Sequence, residues 1–104
     1  IESCSFILPS IISKGAFTVA ISTSGISPAI ARTLKDYIEA SLPENIEDFL
    51  IYIDNIRKDV IRNIKNPIER KKILKAIGSN CSIEILKKEG INKVKEYIEK
   101  IIKE

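Results

Sequence analysis

The chain has 104 residues, 44% hydrophobic and 30% charged, with Lys+Arg 17 against Asp+Glu 14. That is enough for one compact domain or two small lobes, and it excludes a disordered chain. No uncharged apolar run reaches the roughly 20 residues of a membrane span, and the absence of His removes the commonest general base and metal ligand. Met is absent too. A translated chain starts with Met and this one begins Ile1-Glu2-Ser3, so we expect a processed product or a piece of a longer protein; these residues do not read as the remnant of a charged-then-apolar leader.

Taken in order, Phe6-Ile7-Leu8 and Ile11-Ile12 form a short apolar run interrupted by Pro9. Ser13-Lys14-Gly15 offers turn chemistry. From Ala16 to Ser22, large apolar side chains at Phe17, Val19 and Ile21 alternate with small ones, the period of a strand. The pair predicts a β-hairpin, with Pro9 at an edge or bulge because it cannot donate to a ladder. An isolated two-stranded hairpin is marginal in water, so it is expected to find more sheet elsewhere in the protein or in a second copy.

Helical periodicity takes over from Ser27. Ser27-Pro28 is a cap followed by a first-position Pro, and Ile30, Leu34, Tyr37, Ile38 and Ser41 follow at helical spacing. Pro43 is expected to open a longer helix with an inward stripe of Ile46, Phe49, Leu50, Ile53, Arg57, Val60, Ile61 and Ile64, the stem of Arg57 lying against the apolar face. Asn66-Pro67-Ile68-Glu69 restarts a helix that carries Ile68, Ile73, Leu74 and Ile77 to a stop at Gly78. A short helix over 82–89 ends at Gly90, and a last one from Ile91 points Val94, Tyr97, Ile98, Ile101 and Ile102 inward. The expected fold class is α+β: an N-terminal hairpin and connecting helix over 1–42, then a mostly helical bundle over 43–104.

The net charge of +3 is confined to the second part. Residues 1–42 are neutral, whereas Arg57 to Lys75 holds eight basic residues against Asp59 and Glu69. Such a run reads first as a solvated helix face and second as a surface for a polyanion. Without interleaved aromatics it gives no support to stacking on single-stranded bases. Cys4 and Cys81 lack zinc-site spacing and are expected to be buried, reduced thiols. No catalytic constellation built on His can exist within the chain.

One segment combines features of an anion site. Ser22-Thr23-Ser24-Gly25-Ile26-Ser27-Pro28 lies between a strand and a helix start, where hydroxyls, a turn and free helix amides meet. Simple capping of the helix explains the same residues. The segment is neither a Walker loop nor a dinucleotide fingerprint, because Gly-Lys-Ser/Thr and GxGxxG are both absent.

The stretch Ser5-Phe6-Ile7-Leu8-Pro9-Ser10-Ile11-Ile12, with Val19 to Arg32 and Ile38-Glu39-Ala40-Ser41-Leu42-Pro43, resembles the siroheme synthase family, in its precorrin-2 dehydrogenase/sirohydrochlorin ferrochelatase module. The family pattern is S-F-x-x-P-S-x-I, a turn, A-[IV]-S-[ST]-x-G-x-S-P-x-[LI]-A-R, then a helix ending x-E-x-x-L-P. Ser24 stands where some members carry Gly. The resemblance implies a parent enzyme with a Rossmann domain upstream that binds NAD, and a homodimer with an exchanged hairpin. It also implies oxidation of precorrin-2 to sirohydrochlorin, in some members followed by insertion of Fe²⁺. The catalytic Asp is expected just before Ile1, so no catalytic residue and no metal site falls in this chain, and the chain alone is expected neither to bind NAD nor to turn over. Ser22, Thr23, Ser24, Gly25, Ser27 and Arg32 are implied to face the tetrapyrrole, and Phe6, Leu8, Pro9, Phe17, Val19 and Ile21 the dimer partner. A cytoplasmic location without membrane or nucleic-acid partners follows. The alternative is a small helical interaction or nucleic-acid-binding module in which the Ser/Thr loop is only a cap.

Overall fold

A computed structural model describes residues 8–103, so Phe6 and Cys4 lie outside the described residues. The chain divides into two compact units, Ile1–Leu42 and Pro43–Glu104.

In the first unit, strands β1 (Ser10–Lys14) and β2 (Phe17–Ile21) form a two-stranded antiparallel sheet, followed by helix α1 (Pro28–Ser41). The register pairs Ser10 with Ile21, Ile12 with Val19 and Lys14 with Phe17, which puts these six side chains on one face. That face lies against α1: Ile12 is 1% exposed and Ala31 is buried, while Phe17, Val19 and Ile21 are half-buried. The two strands therefore pack one face on their own connecting helix. The turn also falls later than expected. It is the two-residue link Gly15-Ala16, with Gly15 at φ 62, as a tight hairpin requires at its first central residue. Leu8 and Pro9 precede β1 and are exposed, so Pro9 occupies no ladder position. At the hairpin tip Lys14 Nζ lies 3.3 Å from Glu39 of α1, a surface ion pair worth about 0–1 kcal/mol.

Helix α1 starts where its sequence says it should. The Ser27 hydroxyl accepts the Ile30 N–H at 3.1 Å, and Pro28 occupies the first turn, where no N–H is needed. Its predicted stripe is not its buried face. Ile30, Leu34 and Tyr37 are exposed, Tyr37 to 76%, and Ala31 is the side chain sealed against the hairpin.

The second unit contains α2 (Ile46–Asn63), α3 (Pro67–Ile77), α4 (Asn80–Glu89) and α5 (Ile91–Lys103). Pro43 lies one turn ahead of α2, its carbonyl accepting the Ile46 N–H at 3.3 Å, so the helix opens later than Pro43 suggested. Asn66 caps α3 as predicted, its Oδ1 accepting from the amides of Ile68 at 2.9 Å and Glu69 at 3.2 Å. Arg70 then joins two helices: its Nε donates to the Ile64 carbonyl at 3.1 Å, covering the C-terminus of α2. Helix α4 begins at Asn80, two residues earlier than expected, and α4 meets α5 across Gly90 at φ 93.

The core of this unit consists of Ile46, Phe49, Val60, Ile77, Leu86, Val94 and Ile98. Three expected inward residues face solvent instead, Ile61 among them at the edge of its stripe. Arg57 is exposed, with Tyr52 and Ile56 taking the inward positions, and Ile68 is 81% exposed at the start of α3. Cys81 is exposed as well, contrary to the expectation of a buried thiol. No helix of the described residues is long and apolar enough to cross a membrane.

Candidate functional site

The loop between β2 and α1 folds back on itself through its own hydroxyls. The Ile26 N–H donates to the Thr23 carbonyl at 3.0 Å, closing a turn whose central residues Ser24 and Gly25 have φ 57 and φ 82. Two positive φ values in succession define the mirror-image turn that glycine usually occupies, and Ser24 adopts it despite carrying a Cβ. The Ser22 hydroxyl supports this conformation by accepting the Ser24 N–H at 3.0 Å.

Thr23 makes the central contact. Its Oγ1 accepts the Ser27 N–H at 3.0 Å and donates to the Ser27 carbonyl at 3.2 Å, which orients Ser27 to cap Ile30. These contacts account for most of the amides at the start of α1. Ser27 N–H goes to Thr23, Ile30 N–H to the Ser27 hydroxyl and Ala31 N–H to the Ser27 carbonyl, while Pro28 has none. The helix terminus is thus largely self-satisfied, and the bundle of free amides expected at an anion site does not form.

What remains is a cleft of about 160 Å³ in the first unit, where Ser10, Ser22, Thr23, Gly25 and Arg32 come together. Leu8, Ile21 and Ala31 supply apolar wall. Four of the six residues implied to face the tetrapyrrole line this cleft: Ser22, Thr23, Gly25 and Arg32. Ser24 and Ser27 do not, and their roles in the structure are the turn and the cap.

Ser10 is the residue that sequence reasoning missed. A turn at Ser13–Gly15 would pair Ile7 with Ile21, whereas the true turn at Gly15-Ala16 pairs Ser10 with Ile21 and sets its hydroxyl beside the loop. The signal was present as Gly15 itself, which is the natural first residue of a two-residue turn. Of the residues implied at a dimer interface, Leu8 is 83% exposed, Pro9 is exposed, and Phe17, Val19 and Ile21 are half-buried beneath α1. Phe6 lies outside the described residues. Among the described residues, no group of three or more Cys, Asp or Glu side chains is placed to hold a metal ion.

A hairpin with a connecting helix, a hydroxyl-rich cleft at their junction and a second, helical unit define an α+β chain. No family model matches the chain. It is 33% identical over 97 residues to the siroheme synthase of Buchnera aphidicola subsp. Acyrthosiphon pisum, covering 89% of this chain and 20% of that protein. It is 31% identical over 96 residues to the siroheme synthase of Mannheimia succiniciproducens, with 92% and 20% covered. Against the siroheme synthase of Neisseria meningitidis serogroup C the identity is 37% over 71 residues, or 68% of this chain and 15% of the relative. Among solved structures, SirC, a precorrin-2 dehydrogenase, superimposes with a TM-score of 0.74 at 19% identity, covering all of this chain and 50% of that one, a likeness of fold. The chain is a homologue of one segment of the siroheme synthases, and it spans about a fifth of the length of these relatives.

Proposed function

We propose that the chain forms the substrate-side and dimer-forming part of a precorrin-2 dehydrogenase, an enzyme that oxidises precorrin-2 to sirohydrochlorin with NAD⁺ in siroheme synthesis. Homology to siroheme synthases over about nine tenths of the chain carries this reading. The cleft that joins Ser22, Thr23, Gly25 and Arg32 supports it chemically, since a polycarboxylate tetrapyrrole suits a site with hydroxyls and a guanidinium. With the reading goes a cytoplasmic setting, where NAD is available.

Residues 8–103 do not fit NAD. Their sheet is an antiparallel hairpin, with neither the parallel βαβ unit nor the glycine-rich loop that cradles a pyrophosphate. Hydride transfer is therefore assigned to a chain that also has a nucleotide-binding domain. Fe²⁺ would be a substrate of any chelatase step, and no such step is assigned to the described residues.

Titrating sirohydrochlorin with the chain and following its visible absorption tests the pocket. A saturable spectral change, weakened in a Ser22→Ala/Arg32→Ala variant, is the expected result; no change at any concentration would overturn the reading. The dimer follows from the family reading, and the exposed Leu34 and Tyr37, one turn apart on α1, offer apolar side chains for it. Sedimentation should show a concentration-dependent dimer, and a strict monomer refutes that part.

A further inference from the structure

The size of the cleft and the source of its charge point to how a ligand would be held. Pockets that enclose a whole organic ligand hold about 300–1,000 Å³, so a cleft of about 160 Å³ takes only an arm of one. The amides at the start of α1 contribute little, because Thr23 and Ser27 satisfy those of Ser27, Ile30 and Ala31 and Pro28 has none. Charge in the cleft comes from Arg32, which lines it together with the apolar Ile21 and Ala31. Two hydroxyls flank it. Ser22 Oγ accepts from Ser24 and keeps its proton for donation, and Ser10 enters from the first position of β1. A guanidinium and two hydroxyl donors over a short apolar wall are complementary to a carboxylate on a short aliphatic stem.

We propose that Ser10 and Arg32 clamp one carboxylate arm of the ligand, Arg32 by a paired guanidinium–carboxylate contact and Ser10 by a donated O–H, while the macrocycle stays outside the cleft. This rests on the tetrapyrrole reading for the ligand's identity, but the clamp itself is a site for any short aliphatic carboxylate. Ser10 is thereby a specificity residue that selects for a free acid.

Two probes separate the clamp from the function. Propionate, titrated against the isotope-labelled chain, should shift the amide signals of Ser10, Ser22 and Arg32, and Arg32→Gln should abolish those shifts. Uroporphyrin, an octacarboxylate, should bind while its octamethyl ester binds about tenfold more weakly or less. Ser10→Ala should weaken uroporphyrin by about three- to tenfold, and Arg32→Gln by about tenfold or more. Arg32→Lys, which keeps the charge but loses the paired geometry, should recover part of the loss. Both positions are at the protein surface or half-buried, and far-ultraviolet dichroism checks that the variants stay folded. If uroporphyrin binds and neither substitution nor esterification weakens it, the clamp is overturned and the tetrapyrrole reading stands. If propionate shifts these signals but uroporphyrin does not bind, the clamp stands and the tetrapyrrole reading falls. If neither probe binds, the clamp is overturned as well.

Discussion

Replacing Thr23 with Val keeps the shape of the side chain and removes only its hydroxyl. In the structure that hydroxyl makes two bonds, accepting from the Ser27 amide at 3.0 Å and donating to the Ser27 carbonyl at 3.2 Å. An intramolecular hydrogen bond contributes about 0.5–1.5 kcal/mol net, so the two together bound the loss at about 1–3 kcal/mol. The site is half-buried, and water can reach part of what Thr23 leaves behind, which favours the lower half of that range. For a domain of this size each kcal/mol lowers Tm by about 4–8 °C. The amide of Ser27 provides a local readout, since hydrogen exchange should lose about fivefold in protection for each kcal/mol of local destabilisation. Thr23→Ser restores the oxygen and should recover most of both effects. If Thr23→Val stays within about 0.3 kcal/mol of the parent with Ser27 protection unchanged, the account of the loop as a hydroxyl-locked ring is wrong.

Three further outcomes follow from packing and backbone geometry. Ile98, fully buried in the helical core, should cost about 2–5 kcal/mol on truncation to Ala, whereas Ile68→Ala, at an exposed site, should stay within about 0.5 kcal/mol in the same denaturant titration. Ser24→Gly should stabilise the loop by up to about 1 kcal/mol by relieving a side chain held at φ 57, while Gly90→Ala should destabilise by about 1–3 kcal/mol. A Cβ at Gly90 would meet nothing within 4 Å, so the second cost is one of backbone conformation rather than of clash. Burial first, and the Glu99 carboxylate second, raise the pKa of Tyr52 above the ordinary tyrosine value of 10.0. Above that value the unfolded chain gives up the Tyr52 proton before the folded chain does, so this contribution to stability is complete below pH 10 and falls as pH rises through the folded pKa. Titration in the tyrosinate absorption band should show late-ionising tyrosines, and Tyr52→Phe should remove one of them, Tyr97 being raised as well by its side-chain hydrogen bond with Cys81.

At several helix starts and stops the chemistry is local, and there the sequence was sufficient. Ser27-Pro28 and Asn66-Pro67 start helices because a side-chain acceptor and a ring without an N–H settle the first turn unaided. The helix stops at Gly78 and Gly90, the strand alternation of Phe17 to Ile21 and the α+β layout were legible for the same reason. Tertiary structure decided what depends on register and on the choice of face. Shifting the turn from Ser13–Gly15 to Gly15-Ala16 changes which residue lies opposite Ile21, and so brings Ser10 to the cleft. Helical spacing marked Arg57, Ile61 and Ile68 as inward, but all three are exposed while Ile56 is half-buried, because an apolar stripe admits a rotation until a partner surface fixes it. The Ser/Thr loop shows both sides of this division. Its residue types announced hydrogen bonding to a helix start, yet only the folded loop determined that the Thr23 hydroxyl bonds the backbone of Ser27 and that Arg32 supplies the charge lining the cleft.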